Sequence, residues 1–260
     1  MLSSLFLREI WLKPIPPEAS SYVFSLPVVK GLQKAGRLPL EYPVTFLVGE
    51  NGAGKSTLLE AIAVACGFNA EGGSRNFSFE TTLESSHSPL YQYLGISRGV
   101  RRPRDGYFLR AESFFNVATE LERIQRDDPG KMALDAYGGR SLHSQSHGES
   151  FLTLVLERFG GSGLYLLDEP EAALSPQSQL TLLSAIHQLV KEGSQLIIAT
   201  HSPILMAYPQ AEILVLSDNS ITPTPYEETE HYRLTKQFLD HPQQILRQLL
   251  AEEAEGSVPF

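Results

Sequence analysis

One stretch of this chain decides the fold, and it reads Gly49-Glu50-Asn51-Gly52-Ala53-Gly54-Lys55-Ser56-Thr57. The apolar residues 44–48 precede it and the mainly apolar residues 58–63 follow it, which predicts a strand, a loop and a helix in that order. The glycines let the backbone wrap closely around a polyphosphate, and the N–H groups at the start of the helix point at the anion. The stretch therefore predicts a nucleotide-binding loop.

Individual residues of this loop have expected contacts with the nucleotide. We expect Lys55 to reach the β- and γ-phosphates and the Ser56 hydroxyl to ligate Mg²⁺. The expected phosphate cradle is formed by Gly49, Asn51, Gly52, Ala53, Gly54, Lys55, Ser56 and Thr57. A glycine-rich turn that matches by chance is the alternative, but the strand before the loop and the helix after it disfavour that interpretation. ATP and Mg²⁺ are the expected cofactors.

Two adjacent acids, Asp168 and Glu169, follow a second apolar run at 164–167. Since ligands gather at the carboxyl ends of the strands in a doubly wound sheet, this acid pair should lie beside the loop. We expect Asp168 to hold Mg²⁺, mostly through water, and Glu169 to polarise the attacking water as general base. A surface acid pair at a strand end is the alternative interpretation.

A histidine, His201, closely follows a third apolar run at 196–199. A lone histidine is more often a satisfied core or surface residue than a catalytic one. Here the strand should end at the same edge of the sheet as the phosphates, which favours a catalytic role. We expect His201 to hydrogen-bond the γ-phosphate and to help fix the catalytic water.

The segment 144–150 contains Ser146, Gly148 and Glu149 and opens the helical run 151–156. A turn of this kind is a second anion-binding helix N-terminus, with a hydroxyl and free N–H groups directed outward. Because one nucleotide needs only one such terminus, the segment predicts a head-to-tail dimer in which each chain completes the other's site. A serine-rich helix cap is the alternative for this segment taken alone.

The chain resembles the ABC-type ATPase superfamily in the order of five motifs: the loop, the 144–150 segment, the acid pair, residues 172–175 and His201. It is closer to the RecF- and SMC-related soluble ATPases than to transporter subunits, and it is similar to a stand-alone bacterial family of predicted AAA-type ATPases. The resemblance covers roughly residues 5–250.

The resemblance implies an α/β P-loop NTPase fold: a mostly parallel sheet, flanking antiparallel strands and an inserted lid or helical subdomain at about 68–158 of a single domain, 1–260. Ser146 and Gly148 would contact the γ-phosphate held by the partner chain, and residues 172–175 would cross the dimer interface beside Glu169. The catalytic residues would be Glu169, His201 and Lys55.

Three positions depart from the pattern of transporter subunits. The 144–150 segment has Gln145-Ser146-His147-Gly148-Glu149 where those subunits have Leu-Ser-Gly-Gly-Gln, and Ser175 stands where an Asp is common. Glu112 occupies the place expected for the lid glutamine, so it either approaches Mg²⁺ or water in its stead or the role is absent. SMC-like heads have an arginine near the γ-phosphate where this chain has Arg75.

Composition fits a soluble cytoplasmic protein. The 260 residues include a single cysteine, Cys66, which excludes an internal disulfide and suits a reducing compartment. No apolar run approaches the length of a membrane span, and the N-terminus has no signal-peptide pattern. The net charge of −9 disfavours nucleic acid as a partner. The local exception is a run of arginines that either contacts DNA or forms a solvated face or internal ion pairs: Arg98, Arg101, Arg102, Arg104 and Arg110.

Alternation of polar and apolar residues predicts the remaining elements. Two edge strands are expected within residues 4–30, one near 6–12 and one near 22–26, where Tyr22 or Phe24 either stacks on adenine or packs in the core. Helices are expected near 111–128, 148–159, 176–191 and 232–251, the last of them split by Pro242 and packed on its own domain, and they alternate with strands at 164–167, 195–199 and 212–216.

The sequence supports one main hypothesis of function and two alternatives. The first is a soluble ABC-type ATPase that dimerises on ATP and drives a DNA-related or partner-protein process, such as repair or phage defence. The second is the nucleotide-binding subunit of a membrane transporter. The third is a regulatory module that binds ATP and hydrolyses it slowly. The expected partners are a second copy of the chain and another protein, with DNA as a further candidate.

Overall fold

Two sheets and two layers of helices make up the part of the chain that the computed structural model describes, residues 5–16, 18, 21–74, 88–110 and 147–255, with His147 and 251–255 described by backbone only. The strands are β1 Leu7–Leu12, β2 Arg37–Pro39, β3 Val44–Gly49, β4 Gly73–Ser74, β5 Leu94–Arg98, β6 Asp105–Arg110, β7 Gly163–Asp168, β8 Gln195–Ala199, β9 Ala211–Ser217 and β10 Ser220–Pro223. The helices are α1 Pro27–Ala35, α2 Lys55–Cys66, α3 Leu90–Tyr93, α4 His147–Arg158, α5 Pro176–Lys191, α6 Pro203–Met206, α7 Glu230–Asp240 and α8 Pro242–Glu255.

The central sheet has the order β10-β9-β3-β8-β7-β6-β4, and its five middle strands are parallel. Every residue of β3, β7 and β8 is buried, as expected for strands that are covered on both faces. Asp105, Gly163 and Gln195 lie at one edge of this sheet, which we call the amino edge. Gly49, Asp168 and Ala199 lie at the other, the carboxyl edge.

Helices cover the two faces of the central sheet in separate layers. Alternate residues of each strand supply the two cores: Leu166 packs in the same core cluster as α1 and α2, and Leu167 in the same cluster as α4 and α5. The loop helix α2 and the helix α4 that follows the 144–150 segment therefore lie on opposite faces. The predicted α/β fold with a mostly parallel sheet is confirmed, and the predicted strands at 164–167, 195–199 and 212–216 correspond to β7, β8 and β9.

The flanking antiparallel sheet has the order β2-β1-β5, so the prediction of antiparallel strands beside the main sheet is confirmed. The expected second strand near 22–26 is wrong, because Tyr22–Ser25 form a 3₁₀ turn that leads into α1. The Ser21 hydroxyl accepts a hydrogen bond from the Val23 N–H and caps this turn. Pro27 then occupies the first turn of α1, where its fixed φ suits a helix and its missing N–H costs nothing.

Much of the region predicted as an insertion, about 68–158, is part of the two sheets where the structure describes it. β5 pairs with β1, β6 pairs with β7, and α4 packs against α5. The predicted helix at 111–128 and the remainder of the lid lie outside the described residues.

The two C-terminal helices end the described chain. Pro242 begins α8 one residue after His241 closes α7, as the sequence predicts. The expectation that their apolar side packs on the chain's own domain is wrong for α7, whose Leu234 and Leu239 are 62% and 69% exposed. The start of α7 is anchored through its cap Thr229, which is buried. Among the described residues, no helix is long and apolar enough to cross a membrane.

Candidate nucleotide-binding site

The loop after β3 needs glycine at two positions for reasons that the structure makes explicit. Gly54 has φ 94°, and a Cβ there would lie 2.5 Å from the Val28 Cγ1 atom of α1. A Cβ on Gly49 would collide with the backbone oxygen of Leu216 on the neighbouring strand β9. Left-handed backbone and close approach of other chain segments are the two conditions that only glycine meets without strain. The loop is thus closely packed between α1 and β9.

The N-terminus of α2 has no side-chain cap, since Gly54 occupies the capping position. Three other helices, α5, α6 and α7, are capped by the side chains of Ser175, Ser202 and Thr229. The first N–H groups of a helix have no partner within the helix, so those of α2 are left to an external acceptor. Together with the helix dipole they form an anion site of the kind that binds phosphate.

Lys55 is the first residue of α2, and its ammonium is held back over the loop. The Lys55 Nζ donates to the carbonyl oxygens of Gly49 at 2.9 Å and Glu50 at 3.2 Å, and the residue is 4% exposed. Burial lowers the pKa of Lys55 below its usual value, although nearby carboxylates, Glu169 first among them, oppose that shift. A cation that is poorly solvated beside an uncapped helix N-terminus is well suited to bind an anionic phosphate.

Asp168 and Ser56 converge although they are far apart in sequence. The Ser56 Oγ donates to Asp168 Oδ1 at 2.8 Å, and the Arg110 Nε lies 3.5 Å from Asp168 Oδ2. A hydroxyl and a carboxylate are the hard oxygen ligands that Mg²⁺ prefers. The donor set therefore fits the ion, with Ser56 and Asp168 as the residues that would hold it.

Glu169, the second acid, has an uncommon backbone conformation for a side-chain-bearing residue. Its φ of 48° and ψ of 52° are left-handed, which costs about 1 kcal/mol outside glycine. The Glu169 N–H donates to the Ala199 carbonyl at 2.9 Å, and this bond to β8 holds the turn in place. As a result the carboxylate projects from the carboxyl edge, partly exposed, with its Oε1 3.7 Å from His201 Nε2.

His201 lies at the end of β8, where three groups surround it. Its backbone N–H donates to Glu171 Oε1 and its Nδ1 lies 3.0 Å from His231 Nε2. The Nε2 is buried and has no hydrogen-bond partner among the described residues, although Glu169 is its ionic neighbour. Burial, followed by the nearby Lys55 charge, lowers the pKa of His201 below its usual value. This shift favours the neutral imidazole.

The 144–150 segment is described only from His147 onward, so Ser146 lies outside the described residues. Gly148, in the first turn of α4, packs so closely on the turn after the acid pair that a Cβ would lie 2.7 Å from the Ala173 carbonyl oxygen. The start of α4 is therefore held against the turn 172–175, and the resemblance assigns both motifs to the dimer interface.

Several polar groups at the carboxyl edge of the sheet have contacts that the sequence does not predict. Arg110 was grouped with the arginine run, yet its Nη1 donates to Glu60 Oε2 at 2.9 Å while its Nε faces Asp168. Glu60 is the one acid in α2, among the mainly apolar residues 58–66, and this position is the feature of the sequence that points to it. Glu171 and His231 carried no local signal, because their contacts with His201 arise from the packing of distant segments.

The remaining arginines of the run lie elsewhere. Arg101, Arg102 and Arg104 are exposed on the turn before β6, at the amino edge of the sheet, and Arg98 donates to the Ala65 carbonyl at the end of α2. These four arginines thus lie away from the nucleotide loop, and Arg110 is the member of the run that faces the site.

Other candidate residues are only partly described. Tyr22 is 76% exposed, so core packing of that residue is excluded, whereas Phe24 packs edge-on against Tyr93 with ring centroids 5.2 Å apart. Arg75 and Glu112 lie outside the described residues. A cleft of about 400 Å³ adjoins the loop, and it is lined by Pro27, residues 48–53, residues 215–218, Glu230 and His231.

This arrangement of loop, uncapped helix, acid pair and strand-end histidine on a mostly parallel sheet defines a P-loop nucleotide-binding protein. Residues 31–131 match a family model described as "AAA domain", and residues 135–207 match one described as "AAA domain, putative AbiEii toxin, Type IV TA system".

The chain is similar to several known proteins. The arabinose import ATP-binding protein AraG of Mannheimia succiniciproducens is 28% identical over 210 residues, which cover 77% of this chain and 42% of that protein. The cobalt import ATP-binding protein CbiO of Salmonella typhimurium is 27% identical over 205 residues, which cover 75% of this chain and 74% of that protein. The solved structure of cbiO1 from Clostridium perfringens, part of the ABC transporter complex cbiONQ, matches with a TM-score of 0.49 and 18% identity over 95% of this chain and 99% of that one.

The matches to AAA-domain models and to ABC import ATP-binding proteins support an ABC-type P-loop ATPase, a class of ATP hydrolases that use Mg²⁺. It spans less than half the length of AraG but about three quarters of CbiO. The predictions of ATP and Mg²⁺ as cofactors are confirmed at the level of this class.

Proposed function

We propose that the chain hydrolyses Mg-ATP at sites shared between two head-to-tail copies, and that this ATP-dependent dimerisation acts on a partner protein. The observation that carries the proposal is the position of two helix N-termini. α2, which begins at the nucleotide loop, and α4, which begins beside Gly148, lie on opposite faces of the central sheet. Because the sheet lies between these two helices, the arrangement favours a second chain as the source of the α4 contact to a phosphate at the start of α2.

Within each site the residues have distinct tasks. Lys55 and the first N–H groups of α2 bind the phosphates, and Glu169 accepts a proton from the attacking water. His201 directs its Nε2, which has no hydrogen-bond partner in the described part of the chain, towards the same region and holds the γ-phosphate or the water. Mg²⁺, held by Ser56 and Asp168, supplies charge neutralisation at the phosphates.

A complementation experiment tests the shared site. Lys55→Ala removes a phosphate ligand from the loop that binds ATP. Ser146→Glu places a negative charge on the segment that the other copy is expected to direct at the γ-phosphate. Each variant alone should lose ATPase activity by about 10²-fold or more. An equal mixture should recover about a quarter of the wild-type rate, because half the dimers are mixed and each has one intact site. A mixture as inactive as its components would contradict the head-to-tail arrangement.

Three kinds of partner are candidates: a soluble protein, a membrane permease and DNA. The description of the second matching model names a toxin of a toxin–antitoxin system, which favours a partner protein in a defence process. AraG and CbiO are import ATP-binding proteins, which favours the alternative of a transporter subunit. DNA stays a candidate through the exposed Arg101, Arg102 and Arg104, against a net charge of −9.

Co-purification from the native cell, with ATP and the Glu169→Gln variant to trap the dimer, distinguishes these candidates. A soluble protein held only in the ATP state supports the proposal. A membrane permease would replace it with the transporter alternative, and nuclease-sensitive association would indicate DNA.

A further inference from the structure

Two imidazoles meet at the nucleotide site, and the second belongs to the C-terminal part of the chain. His231, in the first turn of α7, has its Nε2 3.0 Å from Nδ1 of His201, and the ring centroids are 5.2 Å apart. The other ring nitrogen of His201, Nε2, is buried, lies 3.7 Å from the Glu169 carboxylate and has no hydrogen-bond partner among the described residues.

The position of His231 is fixed by several contacts. Thr229 caps α7, and its hydroxyl donates to the Tyr226 carbonyl at 2.7 Å. The Tyr226 hydroxyl in turn donates to the Pro203 carbonyl at 3.0 Å, at the start of the short helix α6 that follows His201. The start of α7 is thus tied to the segment that carries His201, so the two imidazoles are held together by the fold.

The hydrogen bond between His201 Nδ1 and His231 Nε2 has one proton, and either imidazole can donate it. If His201 donates from Nδ1, its Nε2 presents a lone pair to the Glu169 carboxylate and to the bound phosphate, which is repulsive. If His231 donates from Nε2, the proton of a neutral His201 must lie on its own Nε2. That N–H then points to the acidic side of the site, which is favourable.

We propose that His231 is a positioning residue that donates a hydrogen bond to Nδ1 of His201 and so keeps the single N–H proton of that neutral imidazole on Nε2, directed at the γ-phosphate. The inference rests on the proposed function, because it gives His201 its donor for ATP hydrolysis. It also makes the start of α7 part of the active site. Burial lowers the pKa of both imidazoles, which leaves them neutral at pH 8.

Substitutions that differ only in hydrogen bonding test the role. His231→Gln places an amide N–H near the position of the imidazole Nε2, whereas His231→Leu has similar bulk and no donor. We expect His231→Leu to lower kcat about tenfold with KM for ATP changed by less than about twofold, and His231→Gln to stay within about threefold of wild type. In a His201→Ala background, His231→Leu should have no further effect, because the two residues act as one unit.

A spectroscopic measurement reads the tautomer directly. Two-bond ¹⁵N–¹H spectra of ¹⁵N-histidine-labelled full chain at pH 8 should give His201 with its proton on Nε2 in the wild type and in His231→Gln. In His231→Leu the His201 nitrogens should shift towards a mixture of tautomers. The chain has seven histidines, so a His201→Gln variant assigns the signal.

The possible failures are distinguishable. A proton on Nδ1 of His201 in the wild type, or equal kcat for the His231→Leu and wild-type chains, would overturn the inference while leaving the shared ATPase site intact. Loss of activity in both His231 variants with unchanged His201 nitrogen signals would also overturn it and would indicate a packing role. If the wild type has no ATPase activity, the proposed function fails, yet the tautomer spectrum still decides the inference.

Discussion

At the amino edge of the central sheet Asp105 is enclosed by donors, whereas at the carboxyl edge the Glu169 carboxylate projects partly exposed, 3.7 Å from the Nε2 of His201. The Asp105 carboxylate accepts from the Tyr165 hydroxyl at 2.8 Å, the Gly160 N–H at 3.1 Å and Arg158 Nη1 at 3.0 Å. Burial alone would raise the pKa of Asp105, but these bonds outweigh it and lower that pKa below its usual range. The hydrogen bonds of the Asp105 carboxylate are thus made with groups of the same chain.

The carboxyl edge is organised differently. The Lys55 ammonium rests on loop carbonyls, the Nε2 of His201 has no hydrogen-bond partner among the described residues, and Glu169 has left-handed backbone. Groups that are held rigidly but incompletely satisfied are ready to bind a ligand or to act on it, since strain and unused polar groups collect at functional sites. The comparison therefore separates residues that stabilise the fold from residues that act on ATP.

The largest effect expected from this difference is on turnover at the carboxyl edge. Glu169→Gln keeps the size and hydrogen bonding of the side chain and removes the base, so kcat should fall by about 10²-fold or more while ATP still binds. Thermal unfolding should change little. Steady-state ATPase assays with nucleotide-binding titrations measure this, and Lys55→Ala, which should weaken binding itself, is the control. An unchanged rate would remove Glu169 from the role of base.

At the amino edge the expected effect is on stability instead. Asp105→Ala removes the acceptor shared by the Tyr165 hydroxyl, the Gly160 N–H and the Arg158 guanidinium, although the Tyr165 hydroxyl keeps its contact with the Gly160 carbonyl oxygen, and we expect a loss of about 2 kcal/mol in the free energy of unfolding. Urea unfolding measures this, and the affinity for ATP should be unchanged at temperatures where the variant is folded. Asp105→Asn, which can still accept hydrogen bonds, should lose less. Equal stability of Asp105→Ala and wild type would show that the network contributes nothing.

Prediction from the sequence succeeded where a local pattern carries the information. The apolar runs before Gly49, Asp168 and His201 gave β3, β7 and β8, because strands buried on both faces are apolar throughout. The turn at Tyr22–Ser25 was mistaken for a strand, since alternation over a few residues does not distinguish an edge strand from a 3₁₀ turn that leads into a helix.

The partners of the site could not be predicted in the same way. Arg110 stands at the end of β6, a full strand length from Arg104. Arginines that are neighbours in the sequence therefore lie at opposite ends of this strand. His231 reaches His201 only because Thr229 and Tyr226 fix the start of α7 against α6. Such contacts depend on the packing of segments that are distant in sequence.

The smallest expected effect concerns an exception at the amino edge, Glu212 near the start of β9. Its Oε2 is buried with no hydrogen-bond partner among the described residues, and burial, followed by the nearby Glu41 charge, raises the pKa of Glu212 to about 7. Between the unfolded value of 4.5 and this folded value, the folded chain holds a proton that the unfolded chain has lost. The free energy of unfolding therefore falls as the pH rises through that interval.

Glu212→Gln removes this loss, because the amide carries no charge at any pH in the interval. With a discount for the partial exposure of the side chain, we expect the variant to be about 1 kcal/mol more stable than wild type at pH 8. The difference should shrink towards pH 5.5. Urea unfolding at the two pH values measures it, with Glu228→Gln, an exposed glutamate on the turn before α7, as the matched control. A difference that is absent at pH 8, or that grows as the pH falls, would mean that Glu212 is satisfied like Asp105, and the amino edge would then have no exception.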